Sequence, residues 1–266
     1  MIEVDNLSKT YTLSKEQKKE MGPNVSGDTI DAVKDVTFTC QPGRIFCLLG
    51  PNGAGKTTTL RIIAGMLKPS AGTVRVNGHD VTEDPRAVCR HLGFLTGSTG
   101  LYNRLTANEL VKYHADLHGV STADFKRRRD DLFTLLDMHD FADRRIGKFS
   151  TGMRQKVSIA RTMIHDPAVV VLDEATAGLD VIAARSIIQL VRRCKEDGKT
   201  VIFSTHHMDE VNLLADDLCI LHEGRLIHSG AYDAFTASME APTLEDEFIR
   251  LIDAADQPRP ATASIA

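Results

Sequence analysis

A glycine-rich loop between an apolar run and a helical pattern constrains this chain more than any other feature. Residues 50–57 read Gly-Pro-Asn-Gly-Ala-Gly-Lys-Thr and fit the phosphate-binding pattern G-x-x-x-x-G-K-[ST]. The apolar residues 45–49 predict a buried strand before the loop, and residues 58–67 have helical periodicity after it. Glycines let backbone N–H groups converge on phosphate oxygens, and a helix N-terminus adds partial positive charge. The sequence therefore predicts a P-loop that binds a nucleoside triphosphate.

Individual side chains of this loop suit the same chemistry. Lys56 is long enough to reach the β- and γ-phosphates, and the Thr57 hydroxyl is a ligand for Mg²⁺. The alternative is a glycine turn with a solvent-exposed lysine, which the flanking strand and helix patterns disfavour. The residues of the loop predicted to contact nucleotide are Gly50, Pro51, Asn52, Gly53, Ala54, Gly55, Lys56, Thr57 and Thr58.

Two adjacent carboxylates follow a second apolar run. Residues 169–172 are Val-Val-Val-Leu, typical of a central parallel strand, and Asp173 and Glu174 come directly after them. In P-loop enzymes an aspartate at this place holds Mg²⁺, directly or through water. Glu174 is then free to polarise an attacking water. An acidic pair at a strand end is common by itself, but together with the P-loop it predicts a hydrolytic site.

Composition narrows the class of protein. The chain has 266 residues with 42% hydrophobic and 26% charged side chains, ordinary values for one large or two small globular domains. A net charge of −4 gives no electrostatic case for nucleic acid, and the basic residues 126–129 are interpreted as a solvated helix face. No apolar run approaches the ~20 residues of a membrane span, and no secretory signal is visible. Five scattered cysteines without a CxxC pair indicate free thiols in a reducing compartment.

The remaining pattern predicts a strand-rich frame with a helical insertion. Helical spacing dominates from about residue 100 to 165, whereas residues 14–29 are polar and are expected to form a loop or flexible excursion. Residues 256–266 are expected to be a frayed tail. Strands are predicted within 1–13, 33–40, 45–49, 73–76, 169–172, 200–204, 218–221 and 225–230, and helices over 183–196 and 244–252.

A third motif opens the last helix of the insertion. Residues 149–153 read Phe-Ser-Thr-Gly-Met, and a serine N-cap with exposed N–H groups at a helix start makes a second anion site. The segment resembles the signature motif, usually LSGGQ, of the ATP-binding subunits of ABC transporters, with Ser150 and Gly152 retained and three positions changed. The resemblance covers residues 1 to about 235. It implies that Ser150 and Gly152 contact ATP bound by an opposite subunit; a plain helix cap is the alternative for Ser150.

Three further positions match the same family. Residues 177–180 resemble the D-loop, which crosses the dimer interface in the family, and Asp180 is therefore predicted at the nucleotide-binding interface. His206 resembles the switch histidine that contacts the γ-phosphate and helps to hold the attacking water, whereas His207 is interpreted as structural. Tyr11 lies where the family places an aromatic side chain that stacks on adenine; a half-buried strand-end tyrosine is its alternative.

One departure from the family concerns the Q-loop. The family has a glutamine near the entry to the helical insertion, but residues 93–102 contain none, and Gly97 falls at the expected position. The usual amide contact to Mg²⁺ and water is therefore missing. Ser98 or Thr96 could supply a hydroxyl in its place, which is a hypothesis.

The resemblance implies a fold and a set of partners. The fold is α/β: a P-loop NTPase (RecA-like) core with a mostly parallel sheet, an N-terminal antiparallel β subdomain and an inserted α-helical subdomain. The expected ATPase domain covers residues 1–240 with the helical subdomain at about 97–165, followed by a short C-terminal helix and flexible tail over 241–266. The implied cofactors are ATP and Mg²⁺, and the implied partners are a second ATPase subunit, with a homodimer favoured, and separate transmembrane permease subunits on the cytoplasmic face of the cell membrane.

The predicted function is a Mg²⁺-dependent ATPase whose dimer closes on ATP and powers an exporter. The sequence of residues 93–105, of the D-loop and of the C-terminal segment 244–252 resembles the ABC-2 branch, which includes sodium-exporter (NatA-like) and drug-exporter subunits. The cargo and the composition of the dimer stay open. One alternative is a soluble ABC-type ATPase that acts on nucleic acid or ribosomes, which the single P-loop, the lack of sustained heptads and the negative charge disfavour. A non-enzymatic ATP-gated scaffold is a weaker alternative.

His114 and His118, at helical i, i+4 spacing, could hold a metal, but no third ligand is evident.

Overall fold

A six-stranded sheet forms the centre of the molecule. The computed structural model describes residues 1–14, 28–96 and 100–257. The strands of this sheet lie in the order β10-β9-β3-β8-β7-β6, and all neighbours are parallel except the β9–β10 hairpin. The strands are β3 (Ile45–Leu49), β6 (Leu92–Thr96), β7 (Val169–Asp173), β8 (Thr200–Thr205), β9 (Asp217–His222) and β10 (Arg225–Ala231). Because β3, β7 and β8 run in one direction, the loops after them meet at one edge of the sheet.

A second sheet is antiparallel and covers the helix that follows the P-loop. Its strands lie in the order β2-β1-β4-β5: β1 (Ile2–Thr12), β2 (Thr29–Cys40), β4 (Ala71–Val76) and β5 (His79–Asp80). Helix α1 (Lys56–Ile63) contributes Leu60, Ile62 and Ile63, all fully buried, to one apolar cluster with residues of both sheets. Helix α1 is thereby packed against both sheets.

The helices group around these sheets. Those of the inserted segment begin with local caps: Thr106 and Glu109 form a capping box, and the side chains of Ser121 and Ser150 each accept a backbone N–H bond. The remaining helices are α2 (Pro85–His91), α3 (Ala107–Leu117), α4 (Thr122–Leu135), α5 (Thr151–Met163), α6 (Val181–Glu196), α7 (Met208–Leu214), α8 (Tyr232–Ser238) and α9 (Leu244–Asp256).

The predicted α/β fold is confirmed, with several short elements that the pattern did not reveal. The edge strand β6 and the seven-residue helices α2, α7 and α8 were absent from the prediction. Five to seven residues are too few to establish a period, so their conformation depends on tertiary contacts. Most of the predicted excursion at 14–29 and of the tail at 256–266 lies outside the described residues.

The structure can be compared with the sequence predictions about membrane spans and free cysteines. Over the residues that the structure describes, no helix combines the length and apolarity needed to cross a bilayer. All five cysteines are free, and only Cys89 is exposed. Burial raises the pKa of the Cys194 thiol to about 12, which keeps it protonated at neutral pH.

Replacing Phe203 by alanine tests how much the central sheet depends on its apolar packing. Phe203 lies in β8 with no exposed surface, so Phe203→Ala is expected to lower the free energy of unfolding by about 3–5 kcal/mol. Chemical denaturation measures this change, and Leu213→Ala, at a half-exposed position, is the matched control with an expected loss below about 1 kcal/mol. Equal losses in the two variants would contradict this packing.

Candidate nucleotide-binding and hydrolytic site

The P-loop has a strained backbone that only glycine adopts easily. Gly53 and Gly55 have φ values of +84° and +101°. A Cβ on Gly55 would lie 2.4 Å from the Ala32 carbonyl oxygen, whereas a Cβ on Gly53 would meet no atom within 4 Å. The β9–β10 turn supports the loop, because the Gly224 N–H donates to the Ala54 carbonyl at 3.0 Å. The loop is therefore packed on one side and open on the other.

Lys56 reaches back over this loop from the first position of α1. Its Nζ donates to the carbonyl oxygens of Gly50 (2.7 Å) and Pro51 (3.2 Å), and it lies 3.7 Å from a carboxylate oxygen of Glu174. The pKa of Lys56 is lowered, because the effect of burial is larger than the opposing effect of the Glu174 and Asp173 charges. The lysine is therefore held at the mouth of the loop, where phosphate oxygens can replace the carbonyl oxygens as its partners.

The two predicted metal ligands lie together. The Thr57 hydroxyl donates to Asp173 Oδ2 at 2.8 Å. Asp173 Oδ1 is buried and has no hydrogen-bond partner among the residues that the structure describes. An unpaired buried carboxylate oxygen is costly, and a hard cation such as Mg²⁺ prefers oxygen ligands of these two kinds. The donor set thus fits Mg²⁺.

Glu174 and His206 form the third part of the constellation. His206 Nδ1 lies 3.2 Å from Glu174 Oε1, the same oxygen that lies near Lys56. Strands β7 and β8 align Asp173 with Ser204, and the Glu174 N–H donates to the Ser204 carbonyl at 3.0 Å. Glu174 has a φ of +50°, in the left-handed region that residues with a Cβ seldom adopt.

These groups surround a cavity of about 630 Å³, which is within the usual range for a small-molecule site. The lining residues are Ala32, Pro51, Asn52, Gly53, Ala54, Gly55, Lys56, Thr57, Thr58, Arg61, Thr96, Thr151, Gln155, Asp173, Glu174 and Ala177. Sequence reasoning did not select Ala32, Arg61, Thr151 or Gln155 as site residues. Thr151 lies within the signature segment and Gln155 two residues after it, Arg61 follows the P-loop, and Ala32 had no signal in the sequence.

Six predicted residues lie outside that lining: Tyr11, Gly50, Ser150, Gly152, Asp180 and His206. Ser150 caps α5 by accepting the Met153 N–H at 3.3 Å, and Gly152 lies in the first turn of the same helix. Asp180 caps α6 by accepting the Ala183 N–H at 2.8 Å. These three stay predictions for contacts to nucleotide held by another subunit.

Tyr11 lies at the rim of the site. Its hydroxyl is 3.5 Å from Thr58 Oγ1, and Lys9 Nζ lies 5.3 Å from its ring centre. A stacking role for the ring stays a prediction.

The positions around the absent glutamine give a partial picture. Gly97 and Ser98 lie outside the described residues, whereas Thr96 ends β6 opposite Asp173 and lines the cavity.

His118 stacks on His165 with ring centres 3.9 Å apart. Within the described ranges, neither His114 nor His118 belongs to a cluster of three side-chain ligands close enough to share an ion.

A strand, a P-loop, a buried carboxylate at the end of a neighbouring strand and a parallel sheet define the class of P-loop nucleotide hydrolases. The ABC transporter family model matches residues 33–177. The chain is 41% identical to the ABC transporter ATP-binding protein NatA of Bacillus subtilis, over 83% of this chain and 90% of that protein. It is 34% identical to the daunorubicin/doxorubicin resistance ATP-binding protein DrrA of Streptomyces peucetius, over 84% and 67% of the two chains.

Solved structures agree with these relatives. The ATP-binding subunit of an ABC transporter superposes with a TM-score of 0.81 at 27% identity, covering 94% of this chain and 99% of that one. A dimeric ATP-binding cassette with bound ADP and Pi, in a post-hydrolysis state, superposes with a TM-score of 0.73 at 25% identity, covering 87% of this chain and 98% of that one. The chain belongs to the ABC transporter family and is an ATP-hydrolysing subunit of that family. The relatives do not support the nucleic-acid or ribosome alternative.

The two positive-φ glycines of the loop provide a matched test of its backbone. Gly55→Ala adds a clash with the Ala32 carbonyl to the strain of a left-handed backbone, whereas Gly53→Ala adds the strain alone. Thermal unfolding without nucleotide is expected to show a loss of about 1–2 kcal/mol for Gly53→Ala and clearly more for Gly55→Ala. Equal stability of the two variants would contradict this geometry of the loop.

Proposed function

We propose that this chain hydrolyses ATP with Glu174 as the group that polarises the attacking water. The observation that carries the proposal is the position of Glu174, whose carboxylate lies between Lys56 and His206 beside the open face of the P-loop. Lys56 and the loop N–H groups would stabilise charge on the β- and γ-phosphates. His206 would orient the Glu174 carboxylate and the water at the γ-phosphate.

Mg²⁺ would be held by the Thr57 hydroxyl and the Asp173 carboxylate. When bound, the ion supplies charge neutralisation on the phosphate oxygens. The unpaired Asp173 Oδ1 supports this assignment.

The site would be completed by a second subunit. The N-terminus of α5, with Ser150 and Gly152, presents backbone N–H groups and a partial positive charge that favour an anion. In the family these residues act on nucleotide bound by the opposite chain. Two chains would therefore close face to face around ATP, with Asp180 near the interface, and hydrolysis would reopen them.

The chain would work at the cytoplasmic face of the membrane with separate permease subunits. An exposed apolar patch supports this: the side chains of Met66, Tyr102 and Leu117 are each more than 60% exposed, and Tyr113 packs edge-on against Tyr102. Burial lowers the pKa of nearby His114 to about 4, so this imidazole is neutral at physiological pH. Exposed apolar side chains beside a neutral imidazole suit an amphipathic cytoplasmic helix of a permease.

Export is the proposed direction. The relative from Streptomyces peucetius is described as a daunorubicin/doxorubicin resistance protein, and a relative from Paraburkholderia xenovorans as a Nod factor export protein, which supports export. The permease would select the cargo, and this chain would supply the energy.

The Glu174→Gln variant tests the proposed hydrolytic role. Glutamine keeps the size of the side chain but accepts protons poorly, so kcat is expected to fall at least ~100-fold while ATP still binds. Steady-state phosphate release measures kcat, and size-exclusion chromatography with ATP is expected to show a trapped dimer. Unaltered turnover in this variant would exclude Glu174 from the role.

The exposed patch can be tested with a matched pair of charge insertions. Leu117→Arg is expected to reduce, about tenfold or more, the amount of multispanning membrane protein that co-purifies with the chain from solubilised membranes. Ile249→Arg places the same charge at a half-exposed position of α9 and is expected to leave co-purification unchanged. Equal recovery with both variants would mean that the permease docks elsewhere.

A further inference from the structure

Glu210 joins two loops of the hydrolytic site without lining the nucleotide cavity. It lies in the first turn of α7, and its two carboxylate oxygens accept hydrogen bonds from two threonine hydroxyls. Thr176 donates to Oε1 at 2.5 Å and Thr205 donates to Oε2. Both threonines are more than 90% buried. A hydrogen bond to an ionised carboxylate is stronger than one between neutral groups.

The two threonines lie next to the residues that would perform the chemistry. Thr176 is two positions after Glu174, in the segment that leads into residues 177–180, and Thr205 directly precedes His206. Glu210 is therefore one rigid connection between the loop that carries Glu174 and the loop that carries His206.

This connection begins where the sheet stops. The ladder between β7 and β8 ends at the pair Asp173–Ser204, and the Glu174 N–H bond to the Ser204 carbonyl extends it. From the other side, Gln155 Nε2 donates to the Ala175 carbonyl at 2.7 Å. Beyond these bonds the two loops are joined by the Glu174–His206 contact itself and by the Glu210 carboxylate.

We infer that Glu210 is a positioning residue that fixes the Glu174–His206 geometry and couples it to the D-loop segment 177–180. The inference rests on the proposed function, since it assigns Glu210 an effect through Glu174 and His206. A shift of residues 177–180 against a second subunit would move Thr176. Because Glu210 holds Thr176 and Thr205 together, such a shift would reach His206 as well.

A purely structural role makes a different prediction. A carboxylate in the first turn of a helix stabilises the helix dipole, and Asp209 already supplies one in the same turn. If Glu210 acted only in that way, its removal would lower stability and leave the chemical step unchanged. The two threonine bonds predict an effect on kcat.

The test compares steady-state kinetics of MgATP hydrolysis by the full chain. Glu210→Ala is expected to lower kcat 10- to 100-fold with KM for ATP within twofold of the unaltered protein, because the nucleotide contacts are untouched. Glu245→Ala removes a first-turn carboxylate from α9, outside the site, and is the control with unaltered kcat. A Glu210→Ala variant with kcat within twofold of the unaltered protein, or with a raised KM alone, would overturn the inference.

The Thr176 hydroxyl provides a second test that preserves the helix. Thr176→Val removes the hydroxyl while keeping the shape and is expected to lower kcat about tenfold, whereas Thr176→Ser is expected to stay within twofold. Since Thr176→Val and Glu210→Ala break the same bond, the double variant is expected to be no more than threefold slower than the slower single variant. Multiplicative losses would overturn the inference.

Loss of the positioning role can be distinguished from loss of the proposed hydrolytic function. Turnover retained in Glu174→Gln would remove the proposed function itself. An inactive Glu174→Gln together with full activity in both Glu210→Ala and Thr176→Val would remove only the positioning role.

Discussion

The parallel pairing of β3, β7 and β8 is the constraint on which the rest of the site depends. It brings the P-loop, the Asp173–Glu174 pair and His206 to one edge of one sheet, although they are far apart in sequence. Fully buried apolar strands hold this register, and a slip of one residue would turn each side chain to the opposite face. The chemistry is therefore a consequence of strand packing.

At that edge, opposite charges are arranged around a space for phosphate. Lys56 lies between loop carbonyl oxygens and the Glu174 carboxylate, and Asp173 keeps one buried oxygen without a partner in the described part of the chain. Glu174 also contacts His206. Such a set of partners is poised to rearrange when a triphosphate and a cation enter. The Glu210 link would then keep the two catalytic loops moving as one unit.

Much of this could be predicted from sequence because the motifs are local. The P-loop, the buried strand before Asp173 and the helix cap at Ser150 each depend on neighbours within a few residues. The contacts of Gln155 and Glu210 could not be predicted in this way. Gln155 contacts Ala175, which is 20 positions away in the sequence, and Glu210 contacts Thr176, which is 34 positions away. These pairs come together through the folding of the sheet. The short elements β6 and α7 escaped prediction for the same reason.

The central claim is that one chain supplies half of each hydrolytic site and a second chain completes it. The dependence of the MgATP hydrolysis rate on protein concentration tests this most directly. At concentrations below the dimer dissociation constant, the account predicts a rate that rises with the square of the concentration. A rate strictly proportional to concentration across that range, with the protein monomeric throughout, would contradict it.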